Sequence, residues 1–409
     1  MKLTLLVLLL AQVAPIHDAS WGEREWAKAR THTPLPRPRR NPTNRVADSA
    51  DAARLGQRLF FDARFSANGS VACASCHAPD LGFADGKSLS MGLARTVRHS
   101  PSLWNVAQQR WFFWDGRADS LWAQAVQPLE NPKEMGFDRV SLARALRGDA
   151  TLRAEYEQLF GALPDVASWP ERAAPGDDAS ERAAAWKHMS ADEQRAASRV
   201  AANFGKALEA YERRLVRDDA PFDRFVAGDA TALSESAQRG WKLFAGRGNC
   251  RSCHSGPAFT DGEFHNIGIP PLAGGEPEDP ARYAGIDLVR EDPFNAQGEF
   301  SDAREGDAAL ELEVLERTPQ NFGEYRTPSL RNVALTAPYM HEGQMKSLAD
   351  VVHFYSTLEG ATQIGHHQEQ VLQPLKLSAS EAADLVAFLE SLTGTPPPAA
   401  LLAPLEEKR

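Results

Sequence analysis

Four cysteines are the first residues to ask about. They fall as two pairs, Cys73/Cys76 and Cys250/Cys253, in the words "CASCH" and "CRSCH". C-x-x-C-H is the attachment signature of a c-type haem. Two residues between the thiols match the reach between two vinyl groups, and the adjacent histidine, His77 or His254, is then the proximal iron ligand. One such word could equally be a redox dithiol or half of a zinc site, and in an exported chain four cysteines could form disulfides. Two words that together use every cysteine favour two covalent haems over the zinc and disulfide alternatives.

A second stretch carries further ligand-type side chains. "HEGQMKSLADVVHFY", His341 to Tyr355, holds two histidines, a methionine and a tyrosine. Ser347 is a fair N-cap, and Leu348, Val351, Val352 and Tyr355 recur at helical spacing behind it. Tyr355 therefore belongs to an inward stripe, whereas His353 points away from it and reads as a surface residue. Met340 and Met345 read as packing methionines, the usual use of the residue. His366 and His367 in "GHHQEQ" have no motif around them and read as surface residues.

These words lie inside a longer repeat. "ARLGQRLFFD" precedes the first cysteine word and "AQRGWKLFAG" the second, so that Gly56, Leu59 and Phe60 match Gly240, Leu243 and Phe244. "SPSLWNVA" (Ser100–Ala107) recurs as "TPSLRNVA" (Thr327–Ala334), and "WDGRADSL" (Trp114–Leu121) aligns without a gap to "HEGQMKSL" (His341–Leu348). The expectation is a mainly α chain of two tandem cytochrome c-like haem domains related by internal duplication, 47–225 and 226–394. The second copy carries an insertion of about fifty residues, polar, acidic and rich in Gly and Pro, which reads as a long surface loop shaping access or docking. The apolar periodicity through Ala197, Val200, Ala201, Phe204, Leu208 and Tyr211 predicts a helix linking the two domains. A last helix follows Ser378, with Leu385, Phe388, Leu389 and Leu392 on one face and Gly394 near its end.

The 409 residues suffice for two or three cores, and the 43% apolar and 24% charged fractions are those of a soluble globular protein. A net charge of −10 argues against a nucleic-acid partner and is compatible with a basic docking partner. "MKLTLLVLLLAQVAP" is too short to span a bilayer and reads as an export signal, 1–19, cleaved between Ala14 and Ala19. It implies a periplasmic protein without a membrane span. The 20–46 segment, which contains "THTPLPRPRRNPTNR", reads as an extended Pro/Arg-rich arm, and 395–409 reads as a tail.

With its paired C-x-x-C-H words, "WDGRADSL…QPLENPKEMG" and "YRTPSLRNVALTAPYMHEG", the chain resembles the bacterial dihaem cytochrome c peroxidase and MauG superfamily, from about Ala47 to Gly394. The resemblance implies one haem with an open distal face that reacts with hydrogen peroxide, and a second, six-coordinate haem that passes electrons. It assigns Trp114 as the tryptophan between the haems, where the alternative use is core packing. It assigns Glu134 as the distal acid, which moves a proton from the inner to the leaving oxygen of peroxide; a solvated loop glutamate is the alternative. It assigns Pro128 as the distal proline that keeps the sixth position unligated. Fourteen residues beyond the "WDG"/"HEG" position, Pro128 pairs with Tyr355, so Tyr355 is expected over the second iron.

Tyr355 sides with MauG, since many peroxidases of the family have methionine there. A phenolate favours higher oxidation states than a thioether does, which disfavours electron uptake from ordinary cytochromes and favours sharing oxidising equivalents through Trp114. The departures from the family matter too. "GKSLSMGLAR" lacks the distal-loop histidine of many members, so the first haem is expected open without reductive activation. The family's calcium ion, bound by carbonyls matching Thr336 and Pro338, uses an asparagine where this chain has His99, and imidazole is a poor calcium ligand. MauG's surface tryptophan two residues before the second cysteine word is Gly248 here, and Trp241 lies farther upstream. Three functions follow: peroxide reduction with electrons from a small redox protein (a cytochrome c or a copper protein), peroxide-driven oxidation of a partner protein, or electron transfer alone.

Overall fold

The computed structural model describes residues 21–176, 180–275, 277–365 and 369–406. The expected export signal and His366–His367 lie outside them. The chain is mainly helical, and the described strands are one two-residue antiparallel pair, Phe264–His265 with Tyr325–Arg326.

Each half is built on three helices that surround a cysteine word. In the first half Ala50–Phe61, Leu121–Glu130 and Ala191–Glu212 pack together; in the second, Glu235–Ala245, Leu348–Thr357 and Ala379–Glu390 do so. Serine starts all six, each side chain accepting from a backbone N–H of the first turn: Ser49, Ser120, Ser190, Ser234, Ser347 and Ser378. The closest crossing in each half is made by a matched glycine. A Cβ on Gly56 would lie 1.9 Å from Ala207 O, and one on Gly240 would lie 2.0 Å from Asp384 O. Only hydrogen fits at either position, which explains why glycine interrupts an otherwise good helical sequence.

The repeated words also carry repeated backbone geometry. Asn105 and Asn332 are both left-handed (φ 57° and 63°), as are Phe113 and Met340 (65° and 74°) and Gly116 and Gly343 (67° and 63°). Phe112 bridges to Ala118 as Tyr339 bridges to Met345. The two halves meet through these turns. His99 N–H donates to His341 O at 2.7 Å and Arg326 N–H to Trp114 O at 2.8 Å, and the two bonds relate matched residues in opposite directions.

Four expectations need correction. The helix Ala191–Glu212 does not link the domains; it closes the first core, in the position that Ala379–Glu390 occupies in the second. An amphipathic stripe shows that a helix buries one face, not against which partner. The seam between cores falls before 225/226, because Phe222, Phe225 and Val226 of the helix Pro221–Val226 belong to the second core. The insertion is not simply a surface loop. It forms the helices Arg282–Glu291 and Asp307–Glu313, and its Phe294 and Phe300 enter the first core. The 20–46 arm contains the helix Glu23–Arg30, whose Trp26 packs with Trp21 into the second core. The arm then crosses to the first half, where Asn41 and Asn44 donate to Glu209 and Thr43 Oγ1 accepts from Trp122 Nε1. The described part of the tail, 395–406, crosses the other way: Gln57 Nε2 donates to Ala400 O and Tyr211 to Leu401 O. No described helix is long and apolar enough to cross a membrane.

Candidate functional site

The two cysteine words form the same local device. Cys73–Cys76 is a single helical turn and Cys250–Ser252 a 3-10 turn, and all four thiols are free and only half-buried. His77 and His254 follow directly. His77 Nδ1 lies 3.0 Å from Phe83 O, and His254 Nδ1 lies 3.1 Å from Phe259 O. A carbonyl can only accept, so Nδ1 carries the proton and Nε2 presents its lone pair, the arrangement an iron-ligating imidazole requires. Burial holds both imidazoles below their usual pKa, so they are neutral. The carbonyls are aimed by a strained backbone: Phe83 (φ 54°) and Phe259 (φ 51°) are fully buried, left-handed aromatic residues. Ser102 Oγ and Ser329 Oγ fix each loop by donating to Gly82 O and Ala258 O, both at 2.6 Å.

Around the second word lies an apolar cleft. Its walls include Cys250, Cys253, His254, Leu348, Val351, Val352 and Tyr355, so the inward stripe expected of that helix faces the second histidine. Burial pushes the Tyr355 phenol well above its usual range, and the Cys250 and Cys253 thiols reinforce this. His353 is exposed and lies outside the wall; Met340 lies on the wall, whereas Met345 does not. Trp114 is also on it, buried, with Nε1 donating 2.9 Å to His99 O. Trp114 thus spans from the segment behind the first histidine to the second cleft. Two thiols, a neutral histidine, a facing tyrosine and an apolar lining fit a covalently attached haem.

The first word has Glu134 beside it. Cys76 Sγ lies 3.8 Å from Met91 O, and the next residue, Gly92, packs against the backbone of Glu134. Glu134 Oε1 accepts from Asn131 Nδ2 at 2.7 Å, and burial raises its pKa against the opposing effects of Arg117 and Asn131. Its loop is held by the histidine-free segment "GKSLSMGLAR": Leu93 N–H donates to Glu134 O and Ala94 N–H to Lys133 O, both at 2.9 Å. Gly92 is needed there, since a Cβ would lie 2.6 Å from Glu134 O. Pro128 sits inside the helix Leu121–Glu130, and its carbonyl accepts from Met135 N–H, so proline and acid share one short fold. The two thiols and His77 on the same loop geometry fit a covalent haem of their own.

The calcium set fares less well. Thr336, Pro338 and His99 border the same cleft, but His99 Nδ1 lies 2.7 Å from Lys87 O and is committed as a donor to it. The His99 side chain offers no oxygen, and its backbone carbonyl already accepts from Trp114 Nε1, so it does not fit the asparagine's place. Asp85 Oδ2 is buried without a hydrogen-bond partner among the described residues, a hard oxygen that sequence reading passed over. Trp241 is fully buried among Trp21, Phe222, Phe244 and Phe388, and does not reach the surface. Arg326, and Tyr325 stacked on His341 with ring centroids 3.7 Å apart, also line the cleft and were not singled out in the sequence. Their signal was available, because Arg326 holds the place in the second copy that His99 holds in the first.

Comparison with known proteins agrees. The family described as di-haem cytochrome c peroxidase matches residues 50–231. A cytochrome-c peroxidase of Denitromonas iodatirespirans is 34% identical over 96% of this chain and 93% of its own. The methylamine utilization protein MauG of Methylorubrum extorquens is 33% identical over 93% of this chain and 88% of its own. The crystal structure of a MauG-like protein associated with microbial copper homeostasis superposes with a TM-score of 0.62 at 28% identity, covering 90% of this chain and 96% of that one.

Proposed function

Because the chain belongs to the di-haem cytochrome c peroxidase family, which makes it an oxidoreductase acting on peroxide, we propose that it is a periplasmic enzyme that reduces hydrogen peroxide at an open first haem. His254 and Tyr355 would hold a second haem, Trp114 would stand between the two haems, and the electron source would be a small redox protein, a cytochrome c or a copper protein. The two halves are read as products of an internal duplication, supported by the matched turns and glycines.

Bound to these loops, each haem supplies an iron that exchanges electrons, and reduction of peroxide to two waters consumes two electrons and two protons. The protein's part is to orient and to move protons. The observation that carries the reading is Glu134: a half-buried carboxyl beside the first cysteine word, held by Asn131, on a loop buttressed by a segment without histidine. A carboxylate there takes the proton from one peroxide oxygen and returns it to the other, which leaves as water. Pro128 offers no side-chain donor that could occupy the open face. Arg117 stacks on Phe113 and pairs with Asp115, supplying a fixed positive charge near Glu134.

Oxidation of a partner protein is the second reading, and Tyr355 is the observation that favours it. It lacks the surface tryptophan MauG uses, because Gly248 stands there and Trp241 is buried. Electron transfer alone leaves Glu134 without a role.

The test is optical and EPR spectroscopy of the oxidised holoprotein, followed by stoichiometric peroxide. The expected result is one open haem and one six-coordinate haem, with peroxide reacting before any reduction and reduced donor protein giving turnover. Glu134→Gln should lower kcat/KM for peroxide by roughly 10²–10⁴-fold at unchanged haem content. Two six-coordinate low-spin haems, or no reaction with peroxide, would overturn the reading.

A further inference from the structure

Arg326 is anomalous among the arginines of the interface. It is 3% exposed, and its carbonyl acceptors are Phe113 O, 3.3 Å from Nε, and Thr327 O, 3.2 Å from Nη1. Among the described residues its guanidinium has no carboxylate and no aromatic ring. Its neighbours are differently placed. Arg98 pairs with Asp115 and Asp279, Arg331 with Asp223, and Arg282 lies over the rings of Phe264 and Trp111. Burial alone acts on Arg326 and lowers its pKa to about 10, still leaving it a full cation near neutral pH. A buried charge of this kind is retained where something pairs with it.

The missing partner must reach the guanidinium from the cleft that Arg326 lines together with His254, Tyr355 and Trp114. The carboxylate on that wall, Glu369, is already hydrogen-bonded to His265 at 2.7 Å. The group expected in the cleft carries two carboxylates on its ring edge. We propose that Arg326 is the counter-ion of a carboxylate substituent of the second haem, bound through the Nη2 edge that the described residues leave unused. The same residue's N–H holds Trp114 O and its Nε holds Phe113 O, so the carboxylate is tied to the turn that carries the inter-haem tryptophan. Arg326 is a positioning residue: it sets the seating of the second haem against Trp114 and adds a positive charge near its iron, which favours the reduced form. The inference rests on the second haem occupying this cleft, but not on Tyr355 being its ligand.

The test uses the holoprotein with both haems counted by absorbance. In a spectroelectrochemical titration at pH 8, Arg326→Gln should shift the second haem's midpoint potential downward and leave the first unchanged, and Arg326→Lys should restore most of the shift. Wild-type potential should be insensitive to added chloride or phosphate. A crystal structure of the wild-type holoprotein should place a haem carboxylate oxygen within hydrogen-bond distance of Arg326. An unchanged potential in the glutamine variant, a potential that follows the added anion, or a guanidinium facing solvent or a free ion would overturn the proposal. If the glutamine variant fails to take up haem, the wild-type structure and anion titration decide. Loss of Tyr355 ligation would show separately in the wild-type spectrum.

Discussion

Tyr355 and Glu134 show what a single side chain does when its surroundings are apolar. Burial raises the Tyr355 phenol, so an unligated tyrosine there would stay protonated; an iron ligand reverses that preference by binding the phenolate. Replacing the phenolate with a soft thioether removes a negative charge from the iron and favours its reduced form. Tyr355→Met is therefore expected to raise the second haem's potential, read by redox titration, and an unmoved potential would turn attention to Met340 on the same wall. Glu134 is shifted upward mainly by burial. A base must be ionised to act, so the peroxide reaction should fall away on the acid side at a higher pH than an ordinary glutamate near 4.3 would give. The acid limb of kcat/KM should disappear in Glu134→Gln. At this scale the cysteines and histidines form a readable pattern, because C-x-x-C-H spacing is itself the haem-attachment signature. Arg326 was legible only as the repeat partner of His99, not as an unpaired charge, because an arginine next to a repeat word looks the same whether or not an acid faces it.

The helices position these side chains through devices written in the sequence. Ser347 caps its helix and Asp350 reciprocates, which fixes the rotation that turns Leu348, Val351, Val352 and Tyr355 to the cleft. Gly240 lets the helix Glu235–Ala245, which leads into the second cysteine word, lie against Asp384. Gly240→Ala would force backbone apart where no side chain can yield. A loss of about 1–3 kcal/mol or more is expected, measured by denaturant unfolding, with Gly56→Ala behaving alike in the first half. The helix Ala191–Glu212 was readable as a helix but not as the wall of the first core. Periodicity reports that a face is buried, and the partner is chosen by the chain as a whole.

Both ends of the described chain fasten the opposite half. The N-terminal segment begins in the second core with Trp21 and Trp26 and ends on Glu209 of the first, while residues 400–403 close over the first core. Trp26→Ala should therefore cost about 3–5 kcal/mol and loosen the second half preferentially, followed by unfolding monitored at each haem. Within the second half, Arg331 grips Asp223 through two bonds of 2.8 and 2.9 Å and donates to His32 O of the arm. Burial raises the Asp223 carboxyl, but its bonds to Arg331 outweigh that and hold it below the usual range. With the folded pKa depressed, the pair's contribution is complete above the unfolded value near 3.9 and is lost as pH falls through the folded one. Asp223→Asn should lower the thermal midpoint at pH 7 and narrow the difference between the wild type and the variant in strong acid.

By itself the sequence determined two C-x-x-C-H words that read as haem-attachment loops, the repeat that pairs Trp114 with His341 and Pro128 with Tyr355, and the inward stripe of the Tyr355 helix. These depend on spacing within a few residues or on comparison of one half with the other. The tertiary structure decided what depends on distant segments meeting. The insertion covers the first core, the arm and tail cross between halves, His99 is committed to Lys87, and Arg326 is left charged in the cleft. The physical reason is that burial and pairing are properties of a place in the fold. Local pattern fixes which face of a helix turns inward, but only the assembled chain fixes what that face meets and whether a buried charge finds its counter-ion.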